Sequence, residues 1–489
     1  MRESHSKTFF WHQLANPNCE HRDFVMTTVP WTDTTIPLMA PAVIKTVVES
    51  VGMTCLAVDV NQEIYQATVE HDLKSKLLDF YFEEHCDAEI EHEIFNIYRS
   101  LAEQILSWTP KWVGLSLFSF VCQPSLKWIA YFIKKLAPNV RIIIGGPGCL
   151  PTIAGSDTWV KQMLALGIID YHIRGDAEIA LRELLDGNKD YPGINSNSWQ
   201  EMTREELERL PFADFSDYDL ELYKSRAIPV IGSRGCVRQC TFCDYIANWK
   251  KFQWRSADSI FSEMLYQKDR YGTTKFKFQD SLVNGHPKEF QSLMEKIADY
   301  NSAHDEKIEW SGFFIFRERT ARSEQEWQTI ARGGARILSV GIENFNQHIR
   351  YAMGKKFSDE SIIFHLEQAQ KHNITCLTQI IVGYINETQE DIERTKQWLR
   401  DNQRFNDTIE LYWGSGLGIF DNTYLGEHKH KLGITMVGPN PHEWISSNTS
   451  STAEQRRQWA RELTGLSKQL GFKVATTEVN DHYLMEQRM

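Results

Sequence analysis

Long apolar runs and proline are scarce in this sequence, and each shortage excludes a class of protein. The 489 residues include only 15 prolines and 28 glycines, so collagenous and low-complexity chains are excluded. No uninterrupted apolar run approaches the roughly 18 residues that span a bilayer. The opening residues MRESHSKTFFWHQ have no apolar core of the kind that secretory signals need. We therefore predict a cytoplasmic protein that does not insert into a membrane.

Positive charge is also scarce. Lysine and arginine number 53 against 65 aspartates and glutamates, which gives a net charge of -12. A protein that binds the phosphate backbone of nucleic acids needs a positive field, so we predict a small-molecule substrate and no nucleic-acid partner. The length allows roughly two to four domains.

Strands and helices alternate over the first part of the chain, 1–185. The predicted strands are FVMTTVP, TCLAVDV, WVGLSLFS, VRIIIGG and IDYHIRG, and the predicted helices include PAVIKTVVESVG, EIFNIYRSLAEQIL, PSLKWIAYFIKKLAP and EIALRELLDG. Such alternation is typical of an α/β domain with a parallel sheet covered by helices, the doubly wound or Rossmann-like fold. Ligands of these sheets bind outside the carboxyl ends of the strands.

The rest of the chain divides into three segments. A polar stretch, 186–228, is predicted to be an interdomain linker. Six further strand and helix units follow over 229–414, which suits a partial (β/α)6 barrel better than an eightfold barrel of about 250 residues. The last segment, 415–489, is predicted to contain loops and one helix, with Thr452 and Gln455 resembling a capping box.

Six of the nine cysteines have no ligand spacing and are expected to be buried thiols of a reduced protein. They are Cys19, Cys55, Cys86, Cys122, Cys149 and Cys376. The other three, Cys236, Cys240 and Cys243, follow an apolar strand in the sequence GSRGCVRQCTFCD. Three thiolates can bind three irons of a [4Fe-4S] cluster and leave the fourth iron without a protein ligand.

Zinc binding and thiol redox chemistry are the alternatives for these three cysteines. A structural zinc site needs four nitrogen or sulfur ligands close together, but the next histidine in the chain is His286. A redox pair made by Cys240 and Cys243 would leave Cys236 without a role. The iron–sulfur interpretation uses all three residues.

The spacing CxxxCxxC after the first barrel strand resembles the radical S-adenosylmethionine (SAM) superfamily, over roughly residues 215–414. The resemblance implies that the open iron chelates the amino and carboxylate groups of SAM. It also implies that an electron from the cluster splits SAM to a 5'-deoxyadenosyl radical. Phe242, between the last two cysteines, would then lie along the adenine.

Three later segments resemble other strands of the same family. FKFQDSLVN is similar to the second barrel strand, which makes Asp280 and Asn284 candidates for contact with the SAM amino group. ILSVGIENFNQHIRYAMGKK is similar to the fourth strand, so Glu343 would bond the SAM ribose or amino group. IIVGYINET is similar to the fifth strand, where Gly383 would allow close approach of the backbone. A carboxylate at a strand end is also a common cap or surface group.

The first domain resembles the cobalamin-binding domain that precedes the barrel in one large radical SAM subclass. The resemblance implies cobalamin contacts at Ser116, Ser119, Gly145, Gly146, Gly148 and Glu178. The DxHxxG motif, whose histidine coordinates cobalt in the best-known cobalamin domains, does not occur between residues 24 and 185. Some members of the subclass lack it too, and a domain that kept the fold but lost the ligand is the alternative.

The resemblance as a whole implies a cobalamin-dependent radical SAM enzyme, reduced by a partner such as flavodoxin or ferredoxin. We expect a methyltransferase that acts on an unactivated carbon, or on phosphorus, of a small metabolite or natural-product intermediate. No catalytic side chain is assigned. The alternatives are a non-methylating cyclase or rearrangement enzyme of the same architecture, an RNA methylthiotransferase and a degenerate cofactor sensor. Methylthiotransferases carry three further cluster cysteines in their first domain, a pattern that is not found here.

Overall fold

The computed structural model describes residues 11–30, 32, 35–70, 88–150, 155–414, 417–438, 440–449 and 451–475. Cys86 lies outside this range. The described residues form two compact units, one made by residues up to 202 together with 209–226, the other by 203–208 and the residues from 227 onward. Within the described residues, no helix has both the length and the apolar character that a membrane span requires.

The first unit is built on a five-stranded parallel sheet. Its strands are β1 (Phe24–Thr28), β2 (Cys55–Val58), β3 (Trp112–Ser116), β4 (Arg141–Gly145) and β5 (Tyr171–His172). The sheet order is β2-β1-β3-β4-β5, which is the flavodoxin-like doubly wound order. In that order the ligand crevice lies at the carboxyl ends of β1 and β3, where the winding reverses.

Helices connect these strands. They are α1 (Met39–Ser50), α2 (Asn61–Glu70), α3 (Ala88–Ser107), α4 (Gln123–Leu136), α5 (Asp157–Ala165) and α6 (Ala177–Leu185). Helices α1 and α6 share one core with the sheet, to which Phe24, Trp112 and Ile143 contribute buried side chains. Every residue of β1, β2 and β3 is buried, which explains why these strands are apolar without alternation.

The segment predicted as a linker contributes buried side chains to the first unit. Phe215, Tyr218 and Tyr223 are all buried. The Tyr223 hydroxyl donates to Asp59 Oδ2 at 2.8 Å, and Lys45 Nζ donates to Asp217 Oδ2 at 2.7 Å. Residues 209–226 therefore pack on the first unit as a strap, which the polar composition of the segment, with only a few aromatic residues, did not indicate.

The second unit contains the remaining strands, numbered along the chain. They are β6 (Ile228–Val230), β7 (Ser233–Arg234), β8 (Gln253–Trp254), β9 (Lys275–Phe278), β10 (Glu309–Phe314), β11 (Ala335–Glu343), β12 (Thr375–Ile381), β13 (Ile409–Gly414), β14 (Ile434–Met436), β15 (Trp444–Ser446) and β16 (Lys473–Ala475). Seven of them form one parallel sheet in the order β6-β9-β10-β11-β12-β13-β16. The pairs β7-β8 and β14-β15 are antiparallel.

Ten helices of the second unit lie within the described residues. They are α7 (Arg204–Glu208), α8 (Tyr245–Asn248), α9 (Ala257–Tyr271), α10 (Pro287–Ala303), α11 (Ser323–Arg332), α12 (Gln347–Ala352), α13 (Asp359–Lys371), α14 (Gln389–Asp401), α15 (Tyr424–Glu427) and α16 (Ala453–Gln469). Helix α9 shows how the local sequence sets their bounds. The Ser256 hydroxyl accepts the Ser259 N–H at its start, and Gly272 ends it with a φ of 67°, which favours glycine.

The predicted two-part α/β fold is confirmed, since the first six strands of the large sheet are neighbours in chain order. The last segment differs from the prediction of loops and one helix. After α16, residues Lys473–Ala475 add a seventh strand parallel to β13. Three residues are too few to give a periodic signal in the sequence. Thr452 does accept the Gln455 N–H at the start of α16.

Candidate active site

A short hairpin closes the base of the loop that carries the three cysteines. Ser233 and Arg234 of β7 pair with Trp254 and Gln253 of β8, so that residues 235–252 form one closed loop directly after the first barrel strand. Gly235 has a φ of 81°, and a Cβ there would overlap the Lys251 carbonyl oxygen. Only glycine satisfies both conditions, which fixes the direction in which the chain enters the loop.

The three cysteine thiols share one electrostatic environment. Cys240 is buried, and Cys236 and Cys243 are partly buried. Burial raises the pKa of the Cys243 thiol to about 12, and the Cys240 and Cys236 thiols add to this rise. The Arg238 N–H points to Cys236 Sγ at 3.5 Å, and the Tyr245 N–H donates to Cys243. Backbone N–H groups that face thiolate sulfurs are a feature of iron–sulfur sites.

The donor set fits a [4Fe-4S] cluster. It consists of three sulfur donors on one loop, and cysteine thiols release their protons when they bind a metal. In the part of the chain that the structure describes, no three His, Cys, Asp or Glu side chains converge on a single ion position. A cluster does not require such convergence, because each thiolate binds a different iron.

The far side of the cysteine loop is held by the segment that follows α12. The Thr241 N–H donates to the Met353 carbonyl at 3.1 Å, and the Thr241 hydroxyl lies 2.8 Å from the Tyr384 hydroxyl. Gly354 has a φ of 87°, and a Cβ there would lie 2.9 Å from the Gln239 carbonyl oxygen. The loop is therefore clamped between its hairpin base and this second contact.

A buried ion pair lies beside this clamp. Glu343, at the end of β11, has a φ of 66° and sits at an irregularity in the pairing of β11 with β12. Its Oε1 atom lies 2.9 Å from Lys355 Nζ. A Cβ at Gly341 would overlap Glu343 Oε1. Positive φ at a non-glycine residue is costly and is found mainly at functional sites, so the strand end is shaped to aim this carboxylate.

Lys355 is coupled to the cysteines. Burial lowers the pKa of its ammonium group, but the Glu343 carboxylate and then the Cys240 thiol raise it, so that the pKa lies above its usual value. The Cys236 thiol acts in the same direction. A positive charge is therefore maintained next to two of the three predicted iron ligands.

Asp280 and Asn284 are both committed to the backbone of the barrel. Asp280 Oδ2 accepts the Gly232 N–H at 2.9 Å, and its Oδ1 accepts the Ser233 hydroxyl at 2.5 Å. Burial raises the pKa of Asp280 to about 6. The Asn284 amide exchanges two hydrogen bonds of 3.0 Å with the backbone of Ile315. Both residues hold the segments around the cysteine loop, and their contact with SAM stays a prediction.

Phe242 and Gly383 lie on the apolar side of the site. Phe242 is half-buried against a cluster that includes Met353, Leu425 and Trp444. Gly383 has a φ of 85°, and a Cβ there would overlap the Arg456 side chain of α16. The close approach that was predicted at Gly383 is thus made to another part of the same unit, and the contact of Phe242 with adenine stays a prediction.

Sequence reasoning missed Lys355, Tyr384 and the buried pair formed by Arg255 and Glu263. Lys355 stands in the segment MGKK next to an equivalent lysine, and only the left-handed Gly354 before it indicates which lysine turns inward. Arg255 and Glu263 are eight residues apart and both buried. Their pairing depends on the β8 to α9 junction, for which the sequence carries no signal of its own.

A buried carboxyl group below the site makes stability depend on pH. Glu387 accepts N–H groups from Gly383 and Tyr384 and the amide of Asn344, and burial raises its pKa to about 7. The folded protein therefore binds this proton more tightly than the unfolded chain does. The stability that it contributes is present below the unfolded pKa of 4.5 and is lost as the pH rises through about 7.

We therefore predict that Glu387→Gln flattens this dependence. From pH 5.5 to pH 8.5 the wild-type free energy of unfolding should fall relative to the variant by about 2 kcal/mol. Chemical denaturation at five pH values measures the difference. Parallel curves for the two proteins would show that Glu387 does not titrate in this range.

In the first unit, five of the predicted cobalamin residues meet at the ends of β3 and β4. Ser116 pairs with Gly145 across the two strands. A Cβ at Gly146 would lie 2.6 Å from the Leu117 carbonyl oxygen, and one at Gly148 would lie 3.1 Å from the Ser119 nitrogen. These two glycines let the loops pack closely. A Cβ at Gly145, in contrast, would have a single neighbour, the Ile173 carbonyl oxygen at 4.0 Å.

The sixth residue, Glu178, lies in the first turn of α6 and is buried. Gln123 at the start of α4 adds a feature that the sequence did not indicate, because its buried Nε2 has no hydrogen-bond partner. Buried amides are normally paired. An open strand end with an unsatisfied amide in the adjacent loop fits a bulky ligand that carries hydrogen-bond acceptors, as the amide-bearing corrin ring does.

Known proteins resemble this chain in sequence. Residues 230–399 match the Radical SAM superfamily. An uncharacterized methyltransferase from Pyrococcus horikoshii is 24% identical over 323 residues, 61% of this chain and 66% of that protein. The anaerobic magnesium-protoporphyrin IX monomethyl ester cyclase of Synechocystis is 23% identical over 305 residues, 58% of this chain and 57% of the cyclase. The chain thus aligns with less than two thirds of either relative's length.

Among solved structures, the radical S-adenosylmethionine methyltransferase TsrM from Kitasatospora setae superposes with a TM-score of 0.62. The identity is 15%, and the match covers 90% of this chain and 81% of TsrM. The fold and the cysteine loop define a radical SAM barrel that follows a doubly wound domain in the chain. Residues 230–399 are a radical SAM domain by their match to the superfamily model.

Proposed function

We propose that this chain is a cobalamin-dependent radical SAM methyltransferase that acts on a small molecule. The observation that carries the proposal is the pairing, in one chain, of a three-cysteine loop on a radical SAM barrel with a doubly wound sheet of flavodoxin-like order. The TsrM structure that shares this fold was determined with cobalamin and a [4Fe-4S] cluster bound. The Pyrococcus relative is named as a methyltransferase.

The cobalamin part of the proposal is supported by the ends of β3 and β4. Ser116 ends β3 at the reversal of winding, where doubly wound domains bind cofactors, and Gly145 ends the neighbouring strand β4. The space at Gly145 admits a flat ring close to the backbone. Because the DxHxxG motif is missing, we propose binding without a histidine from that motif on cobalt.

In the proposed reaction each group of residues has one task. When bound, the cluster and SAM supply a strong hydrogen-abstracting radical, and cobalamin supplies a methyl carrier. Cys236, Cys240 and Cys243 would bind three irons. Glu343 would accept a hydrogen bond from a SAM hydroxyl or ammonium group, and its backbone conformation orients it before binding. The apolar wall behind Phe242 would exclude water from the adenine.

Methyl-labelled SAM tests the proposal even without a known substrate. The anaerobically reconstituted full chain is incubated with reductant, cobalamin and SAM that carries a labelled methyl group. We expect label on cobalamin and then in a small molecule from a metabolite extract. Deoxyadenosine without label transfer would favour the alternative of a cyclase, for which the alignment with the Synechocystis enzyme speaks. Absence of both would contradict the proposal.

Gly145→Leu tests the cobalamin site. The φ of Gly145 lies outside the left-handed region, so leucine fits the backbone, and its side chain would fill the open space above β4. We expect cobalamin binding to weaken at least about tenfold, or about 1.4 kcal/mol, with an unchanged iron content. Absorption spectroscopy measures both cofactors in one sample. Equal cobalamin binding by the variant would move the site away from β4.

A further inference from the structure

The ion pair between Glu343 and Lys355 lies in the segment that packs against the cysteine loop. Only 12% of the Lys355 side chain and 9% of the Glu343 side chain are exposed. Gly341 must lack a side chain for the pair to form, because a Cβ there would overlap Glu343 Oε1 and lie 2.8 Å from Lys355 Nζ. The Glu343 carboxylate, the burial of the pair and the absence of a side chain at Gly341 together hold the Lys355 ammonium group in place.

The backbone that carries this ammonium group touches the loop directly. Gly354 precedes Lys355, and a Cβ on it would lie 3.4 Å from the Cys240 Cα. Met353, one residue earlier, accepts the Thr241 N–H. The backbone that leads into Lys355 is therefore packed against the cysteine loop.

The charge of Lys355 is held near the cysteine loop by geometry. Lys355 follows Gly354, which lies against the Cys240 backbone, and its ammonium group is paired with Glu343 Oε1 at 2.9 Å. In a site shielded from water such charges interact more strongly than in bulk solvent. Reduction adds an electron, and thus one negative charge, to a bound cluster, which a fixed positive charge nearby favours.

We propose that Lys355 sets the reduction potential of the iron–sulfur cluster by placing a buried positive charge beside Cys236 and Cys240, with Glu343 moderating that charge. Lys355 is a positioning and electrostatic residue in this scheme and contacts no reacting atom. The inference rests on the proposed cluster ligands. It does not depend on cobalamin or on methyl transfer.

The test is a potentiometric titration of the reconstituted full chain, with neither SAM nor cobalamin added, followed by EPR spectroscopy of the reduced cluster. Dithionite supplies the electron. For Lys355→Met we expect the one-electron reduction equilibrium to shift about tenfold toward the oxidised cluster, which corresponds to a potential about 59 mV lower. Lys355→Arg keeps the charge and should stay within a few-fold of the wild type.

Lys356→Met is the matched control. It removes the same charge from the neighbouring residue, which is exposed, and should leave the potential unchanged because solvent screens that charge. Equal potentials for the wild type and Lys355→Met would overturn the inference, as would equal shifts for Lys355→Met and Lys356→Met.

A second variant covers the case in which Lys355→Met does not retain a cluster. Glu343→Gln removes the moderating charge, so the potential should rise, and an unchanged or lower potential would contradict the inference. A wild-type protein that assembles no cluster would instead refute the proposed ligands. The two failures are therefore distinguishable.

Discussion

Replacing any one of Cys236, Cys240 or Cys243 by alanine is expected to reduce SAM cleavage at least about a thousandfold, equivalent to about 4 kcal/mol of transition-state stabilisation. The loop supplies one thiolate for each of three irons, and loss of any one leaves a second iron without a protein ligand. The measurement is deoxyadenosine release by the reduced, reconstituted protein, together with its iron content.

Cys19→Ala is the control for this series, because Cys19 is exposed and lies in the other unit. It should retain both iron and SAM cleavage. The folded state of each variant can be checked by circular dichroism, since the loop is clamped by backbone contacts that do not involve the sulfurs. Full iron content in any of the three alanine variants would contradict the assignment of that cysteine.

Arg255→Met is expected to destabilise the second unit by about 3–5 kcal/mol. The Arg255 guanidinium pairs with Glu263, and only 5% and 2% of the two side chains are exposed. The same guanidinium donates to the Ile231 carbonyl at 2.9 Å, and the Arg255 N–H donates to the Gly232 carbonyl at 2.8 Å. The substitution leaves the Glu263 carboxylate buried and uncompensated, at the base of the cysteine hairpin.

Two further variants separate the charge from the packing. The double variant Arg255→Met with Glu263→Met should recover most of the loss, because replacing a whole buried pair by apolar side chains is often close to neutral. Arg336→Met breaks the exposed pair with Glu309 and should cost less than about 1 kcal/mol. Denaturant unfolding measures all three. A single variant as stable as the wild type would show that Glu263 finds another partner.

The fold of the first unit was predictable because β1, β2 and β3 are buried on both sides. Continuous apolar runs such as TCLAVDV and RIIIGG mark parallel strands without help from neighbouring segments. The strap over 209–226 was not, since its stability comes from contacts such as Tyr223 to Asp59, which are 164 residues apart. The strand Lys473–Ala475 was missed for a related reason. It is defined by its pairing with β13 in the folded structure, and three residues carry no pattern of their own.

In the candidate site, the sulfur donors could be predicted from the sequence, whereas the residues that surround them could not. The three cysteines are recognisable because thiolate chemistry needs that residue type at that spacing. Gly383 was expected to allow close approach of the backbone to SAM, but the neighbour that a Cβ there would overlap is Arg456, which the chain reaches only in α16. In the same way, tertiary packing decides which lysine of MGKK turns inward, and the local sequence does not show it.

An EPR spectrum of the reduced, reconstituted protein, recorded before and after addition of SAM, tests whether the three cysteines hold a cluster with an open iron. We expect about four irons and four sulfides per chain and a signal that changes when SAM binds to the open iron. A spectrum unaffected by saturating SAM, or a chain that binds one zinc ion and assembles no cluster, would show that the cluster assignment is wrong.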